Sequence, residues 1–156
     1  MVALPPPAPS VLPVVRLHVG EASRVEGAIL VRADNPLLLR AYQQEGAFAF
    51  IGKKTGATTV HFRSDEGDPL DVRFEVIAGE PTPRALAVGE TFVVPMKGVK
   101  DYSLGLSGIV DGTLTSDGSQ LLVTGRRAGA TTVLLIDANG SQRSHELVII
   151  GGERRS

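Results

Sequence analysis

The sequence contains no cysteine, which excludes disulfide bonds, thiolate-based zinc sites and a cysteine nucleophile. Aromatic residues make up only 4% of the chain, and tryptophan is missing. Because carbohydrate sites and single-stranded nucleic-acid sites usually rely on aromatic stacking, both kinds of site are disfavoured. A formal net charge of −1 gives no overall field that would attract nucleic acid or an anionic membrane. No apolar run reaches the roughly 18 residues that a membrane span requires.

The N-terminus is rich in proline and has no basic start. Residues 1–13, MVALPPPAPSVLP, contain five prolines that interrupt the apolar stretch. We therefore expect no signal peptide in this chain, and we interpret residues 1–13 as an extended, proline-rich tether.

One short phrase occurs twice in the chain. GKKTGATTV at 52–60 recurs 73 positions later as GRRAGATTV at 125–133. A VGE triplet opens each copy, at 19–21 and at 88–90. A recurring set of segments in the same order indicates an internal repeat.

The repeat divides the chain into two tandem units. Units of this size are near the lower limit for an independent hydrophobic core, so we expect them to pack on each other or on a partner. The predicted boundaries are the first unit at 14–79, a linker at 80–83, the second unit at 84–152 and a tail at 153–156.

Alternating apolar and polar residues predict β-strands in both units. TTVHFRS and LDVRFEVI each have one apolar and one polar face, and both are rich in β-branched residues. Eighteen glycines and ten prolines divide the chain into short segments. We predict an all-β fold of two tandem small antiparallel Ig-like β-sandwiches. The segment 35–46, NPLLLRAYQQEG, fits either a short capped helix or a strand and turn.

The repeated phrase predicts a structural corner between two strands, built on Gly52 and Gly56 and, in the second copy, on Gly125 and Gly129. A phosphate-binding loop is the alternative, but it needs four residues between its glycines and a helix after them. The basic pairs at 53–54 and 126–127 are interpreted as solvated tips, with contact to an acidic partner as the alternative.

The sequence offers no arrangement that favours catalysis. The three histidines, His18, His61 and His145, lack the spacing of metal ligands, and His61 lies on the polar face of its strand as a surface imidazole. No Ser-His-Asp set or pair of carboxylates has supporting context. We therefore expect no catalytic residue, no metal and no cofactor, and we expect that the protein is not an enzyme.

Comparison of the two copies predicts a contact surface on the last hairpin. Four aliphatic residues take positions that are mostly charged in the first copy: Leu134, Ile136, Val148 and Ile150. A three-residue loop ending at Gly140 would place them together on one face. An apolar patch of this kind marks an interface. The first unit, a second subunit or an assembly partner could cover it, and a different register remains the other alternative.

The order of segments resembles a known family, the N-terminal domain of pilus formation proteins. This domain occurs chiefly in the outer-membrane secretins of Tad (Flp-type) pili and in relatives from type II and type III secretion. The second unit carries VGETFVV, then LLVTGRRAGATTVLLIDANGSQ and ELVIIGG, and the first carries VGEASRV, AFAFIGKKTGATTVHF and VRFEVIAG. The resemblance thus covers both tandem copies.

The resemblance implies a periplasmic structural protein of a pilus or secretion machine. Its partners would be a secretin or other proteins of the pilus or secretion machinery, with self-association as a further option. Nucleic acid and a membrane span are not implied. A pair of bacterial Ig-like modules from a surface adhesin is the alternative, because such modules also carry a G-a-T-v-t strand.

Overall fold

The computed structural model describes residues 12–105 and 108–155, and within these ranges the chain forms fifteen β-strands and no helix. The strands are β1 Val14–His18, β2 Ala22–Glu26, β3 Ala28–Ala33, β4 Leu39–Gln44, β5 Ala47–Gly52, β6 Gly56–Ser64, β7 Pro69–Ile77, β8 Arg84–Ala87, β9 Thr91–Pro95, β10 Val99–Leu104, β11 Val110–Leu114, β12 Gln120–Gly125, β13 Gly129–Asp137, β14 Gln142–Ile150 and β15 Glu153–Arg155.

The two units have the same topology. In the first unit a sheet with the order β1-β7-β6-β3 faces the strands β4-β5-β2, and in the second unit β8-β14-β13-β10 faces β11-β12-β9. In both units the first strand is parallel to the last, and the other pairs are antiparallel. The prediction of an all-β fold with Ig-like sandwich units is confirmed.

The alternation of residues explains how each sandwich forms its core. On β6, Val60 and Phe62 are buried, whereas Arg63 points to solvent. Phe62 meets the ring of Phe50 edge-on at 5.7 Å between ring centroids, and Phe74 lies 5.0 Å from Phe50. The equivalent core positions of the second unit hold smaller aliphatic residues, Val123, Leu135 and Leu147, which are also buried.

The two units pack against each other through a shared cluster of apolar side chains. This inter-unit cluster joins Tyr42 and Ile51 of the first unit to residues of the second, and its members are Tyr42, Ile51, Ala85 and Ala87, with Ala22, Val148 and Ile150 packed against them. Every residue of β5 is buried, because one face of the strand lines the first core and the other faces this cluster. The expected packing of small units on each other is therefore present.

The end of the chain returns to the first unit. The segment 153–156 was expected to be a tail, but residues 153–155 form β15, which pairs antiparallel with β4. Without β15, β4 would be the edge of its sheet with unpaired backbone groups. The Gln44 side-chain amide also donates to the Gly151 carbonyl at 3.0 Å. The equivalent segment after β7 holds Pro81 and Pro83, which have no N–H to donate, and it forms the linker instead.

Two further expectations concern the proline-rich residues 1–13 and the segment 35–46. Residues 1–11 of the expected tether lie outside the described residues, while the Pro13 carbonyl accepts the Arg73 N–H at 2.8 Å. Residues 35–46 form a turn followed by β4 rather than a helix. In that turn the Asn35 side-chain oxygen accepts the Leu37 N–H at 3.2 Å.

Candidate functional site

In the first unit, the first glycine of the repeated phrase pairs with the VGE triplet. Gly20 donates its N–H to the Gly52 carbonyl at 2.8 Å, and Gly52 donates its own to the Glu21 carbonyl at 3.1 Å. A Cβ on Gly52 would lie 2.9 Å from the His18 carbonyl oxygen and 2.9 Å from a Val76 methyl group. The two recurring motifs are thus parts of one tightly packed turn.

The second unit repeats this arrangement. Gly89 donates to the Gly125 carbonyl at 2.8 Å, and Gly125 donates to the Glu90 carbonyl at 3.0 Å. A Cβ on Gly125 would lie 3.0 Å from an Ile149 methyl group and 3.1 Å from the Ala87 carbonyl oxygen. The space beside each of these glycines is therefore occupied by the chain itself.

The second glycine of each phrase lies against one aliphatic side chain. Gly56 has a φ of +146° and Gly129 a φ of +151°, which residues with a side chain rarely adopt. A Cβ on Gly56 would lie 3.1 Å from a Leu38 methyl group, and one on Gly129 would lie 2.8 Å from an Ile109 methyl group. A strand follows directly in each copy, which differs from a phosphate-binding loop and its helix.

Of the two basic pairs, only Lys53 departs from the expected solvated tips, since Lys54, Arg126 and Arg127 are exposed. Lys53 is half-buried, and its ammonium lies 2.7 Å from the Glu90 carboxylate of the other unit. Arg126 is exposed and pairs with Asp111 at 2.7 Å. The adjacent Lys54 is exposed. Lys53 of the first copy therefore lies in a different environment from its equivalent Arg126.

Glu90 connects the two units electrostatically. Its carboxylate accepts from Lys53 at 2.7 Å, from Arg40 at 3.2 Å and from the Ala87 N–H at 2.8 Å. Burial by itself would raise the pKa of Glu90, but the hydrogen bonds from Lys53 and Ala87 and the charge of Arg40 outweigh it and lower that pKa. Burial, with the Glu90 charge, raises the pKa of Tyr42.

The last hairpin has the register that the apolar pattern requires. Residues 138–140 form a three-residue loop, and Gly140 has a φ of +88°. Val133 lies opposite His145 rather than Glu146, so Val133 and Leu135 both face the core.

The four candidate interface residues lie on the outer face of this hairpin in two separate groups. Val148 and Ile150 pack on the inter-unit cluster, so the first unit covers them in part. Leu134 and Ile136 lie at the other end of the hairpin, opposite Ser144 and Gln142, and are half-buried. Between the two groups lies a groove of about 490 Å³, whose lining includes Ala130, Thr132, Glu146, Val148, Pro83 and Gly105.

Sequence reasoning missed the environment of His61. Its Nδ1 lies 2.8 Å from Asp71 and its Nε2 lies 2.9 Å from Asp34, so both ring nitrogens face a carboxylate. The side chain is 24% exposed, which is less than expected for a surface imidazole. The hydrogen bonds to Asp71 and Asp34 raise the pKa of His61. The cross-strand pairing of His61 with Asp71 was the available signal.

The described part of the chain has neither a cluster of metal ligands nor a membrane-spanning helix. Residues 12–105 and 108–155 contain no group of three or more His, Cys, Asp or Glu side chains arranged to hold a metal ion. Over the same ranges there is no helix with the length and apolar character needed to cross a membrane.

Residues 81–151 match the family model described as the pilus formation protein N terminal region. This range contains β8–β14, the complete second unit. No curated protein sequence matches the chain.

Several solved structures are similar at low sequence identity. Domains 1–6 of the surface layer protein SbsC match 81% of this chain and 20% of that chain, with 14% identity and a TM-score of 0.37. The protein SGBP-B of a mixed-linkage glucan utilization locus from Bacteroides ovatus, solved with a mixed-linkage heptasaccharide, matches over 96% and 46%, with 13% identity and a TM-score of 0.32. SbsC domains 5–6 match over 90% and 95%, with 11% identity and a TM-score of 0.34. The chain spans less than half the length of the first two structures.

Proposed function

We propose that this chain is a non-enzymatic structural module of a pilus or secretion machine, because residues 81–151 match the family model of pilus formation protein N-terminal regions. The observation that carries the proposal is the family match, which covers the second unit from before β8 to the residue after β14. More specifically, we propose that the module lies in the periplasmic part of a Tad-type pilus or a secretin-based machine. There it makes protein–protein contacts with a secretin or a neighbouring assembly protein.

The contact surface that we propose is the outer face of the last hairpin at its distal end. Leu134 and Ile136 lie there, away from the inter-unit cluster that already receives Val148 and Ile150. Full burial of an exposed aliphatic side chain is worth about 1.5–3 kcal/mol. Since Leu134 and Ile136 are already half-buried, the gain on binding is a fraction of that value for each.

The experiment is photo-crosslinking in envelopes of the source bacterium. A photoreactive amino acid replaces Ile136 in the tagged protein, and crosslinked partners are identified by mass spectrometry. We expect a component of the pilus or secretion machinery. The variant Leu134→Asp plus Ile136→Asp should lose co-purification of that component while keeping the strand signal in circular dichroism.

The matched control is Val93→Asp, because Val93 is a 42% exposed apolar residue of the same unit on a strand of the opposite sheet. It should retain the partner. Equal loss with both variants, or a partner unrelated to pilus assembly or secretion, would contradict the proposal.

A further inference from the structure

The first unit has an open cleft along one side of its sandwich, between β3 of one sheet and β4 of the other. Its volume is about 580 Å³. Apolar side chains form part of its lining, among them Leu30, Leu39 and Phe50. The exposed residues Pro36 and Leu37 lie at its border. The cleft therefore offers an apolar surface beside the closed core.

The second unit has a smaller groove at the same position, of about 480 Å³, and a larger side chain, Leu104, borders it. Leu104 pairs with Val133, and its equivalent Ala33 pairs with Val60, the matching residue of the first copy. A Cβ on Gly112 would lie only 2.9 Å from a Leu104 methyl group, which shows how closely Leu104 packs across to the opposite sheet. The first unit has Ala33 in place of this leucine, and its cleft is the larger of the two.

The charges around the two positions also differ. In the second unit, Asp111 and Arg126 neutralise each other across 2.7 Å. Their equivalents in the first unit are Arg40 and Lys53, both cationic, and they share the carboxylate of Glu90.

Three further cations border the cleft. Arg32, Lys54 and Arg154 are exposed, and no lining residue of the cleft is acidic. Asp34 is within 3.1 Å of Arg32. Lys54 and Arg154 have no ion-pair partner within residues 12–105 and 108–155. The cleft thus carries an excess of positive charge around an apolar surface.

We propose that this cleft binds an extended acidic segment of a partner protein, with an apolar side chain seated beside Ala33 and carboxylates paired with the surrounding cations. The cations come from β3, β4, the corner after β5 and β15, which suits several carboxylates spaced along a chain better than one anionic headgroup. β3 is also the edge strand of its sheet, so its free backbone groups can pair with such a segment. The residues that line the cleft all lie outside the range 81–151, so binding at this cleft does not depend on the pilus assignment.

The test uses the whole 156-residue chain and fluorescence anisotropy. The probe is a fluorescein-labelled peptide in which a Phe-Leu pair has three acidic residues on each side. Saturable binding that weakens as salt is raised is expected, because exposed charge pairs are screened. Ala33→Leu, which introduces the side chain that borders the smaller groove of the second unit, should weaken binding at least about tenfold. Lys54→Glu plus Arg154→Glu should weaken it by a similar factor.

The matched control is Arg127→Glu, the equivalent of Lys54 in the copy whose groove is bordered by Leu104 and by the Asp111–Arg126 pair, and it should bind within about twofold of wild type. A second peptide, with Ser-Ser in place of Phe-Leu, should bind at least about tenfold more weakly. If Ala33→Leu fails to fold, the double charge reversal and the second peptide still decide.

Any of five results overturns the proposal. They are absence of saturable binding, full affinity in folded Ala33→Leu, full affinity in Lys54→Glu plus Arg154→Glu, equal affinity for the two peptides, and binding of phosphatidylglycerol vesicles through the same residues in preference to the peptide. The last result would identify a membrane surface as the occupant.

Discussion

The carboxylate of Glu90, in the second unit, lies 2.7 Å from the ammonium of Lys53 in the first. The same carboxylate accepts the Ala87 N–H of its own unit at 2.8 Å. Its equivalent Glu21 accepts the His18 N–H in the same way, also at 2.8 Å, and its other contact is the ring of His18, whose Nδ1 lies 3.0 Å away. The repeated glutamate therefore stabilises the VGE turn in both copies, and only in the second copy does it also connect the units.

The first prediction concerns this connection. We expect Glu90→Gln to lower the free energy of unfolding by about 1–2 kcal/mol at pH 7, because two partly buried cations lose their counter-charge. Glu21→Gln should cost less, since it removes no contact between units. Urea unfolding followed by circular dichroism measures both.

The pH dependence gives a second readout of the same variant. The pKa of Glu90 is lowered in the folded state, so its contribution is present above the unfolded value of about 4.3 and is lost as pH falls through the folded pKa. Wild type and Glu90→Gln should therefore converge as pH falls from about 4.3 through the folded pKa of Glu90. Equal costs for Glu90→Gln and Glu21→Gln at pH 7 would show that Lys53 and Arg40 gain nothing from Glu90.

The second prediction concerns the close packing of the corner. Gly52→Ala should destabilise the protein by about 2–3 kcal/mol, because the new Cβ lies 2.9 Å from a backbone oxygen that cannot move freely. Gly118→Ala is the control, since it has nothing within 4 Å and carries only the cost of a φ of +72°, about 1–2 kcal/mol. Thermal unfolding measures both, and a Gly52→Ala protein as stable as wild type would contradict the steric explanation.

Much of this fold could be predicted because the same pattern of motifs occurs twice in the sequence. Alternation in segments such as TTVHFRS assigned the strands, and the recurrence of GATTV aligned the two copies. The register of the last hairpin followed from the requirement that Val133 and Leu135 share a buried face with Leu147. Local periodicity and turn chemistry are readable from sequence because they involve residues close together along the chain.

The missed features all depend on residues far apart in the sequence. Pairing of residues 153–155 with β4 requires the two units to be placed relative to each other, which no local pattern encodes. The ion pair between Glu90 and Lys53 and the cleft beside Ala33 also depend on residues that are far apart in the sequence. The alternation of β6 correctly places His61 on the polar face of the strand, so the residue was assigned to the surface. Alternation does not reveal that Asp34 lies over the same face and contacts the ring.

The third prediction concerns His61. Its pKa is raised in the folded state by hydrogen bonds to Asp71 and Asp34, so its stabilising contribution is complete below the unfolded pKa of about 6.5 and is lost as pH rises through the folded value. The free energy of unfolding should therefore fall between about pH 6 and pH 8 in wild type relative to His61→Gln. Urea titrations at several pH values measure this difference.

The comparison with His61→Gln is needed because His145 acts in the opposite direction. Burial, with the nearby charge of Arg143, lowers the pKa of His145. Because His145 is present in both proteins, its contribution cancels when the free energies of unfolding of wild type and His61→Gln are subtracted. The prediction would be disproved if an NMR titration gave the His61 ring a pKa at or below about 6.5.

The last prediction concerns the return of the chain to the first unit. Gly152 has a φ of +120°, and a Cβ there would collide with the carbonyl oxygen of Gln43 on β4. Gly152→Ala should therefore detach β15 and expose the edge of β4, while the core of the second unit keeps its packing. Hydrogen exchange should become faster at residues 41–43 and remain unchanged on β12 and β13.

Gly140→Ala is the control for this substitution, because it also strains a glycine with positive φ in the second unit but has no atom within 4 Å of the added Cβ. It should leave exchange on β4 unchanged. If β4 is protected equally in both variants, pairing with residues 153–155 does not protect that edge. If β4 opens only in Gly152→Ala, the short strand is what covers the edge, and the variant should also associate more readily through the exposed backbone.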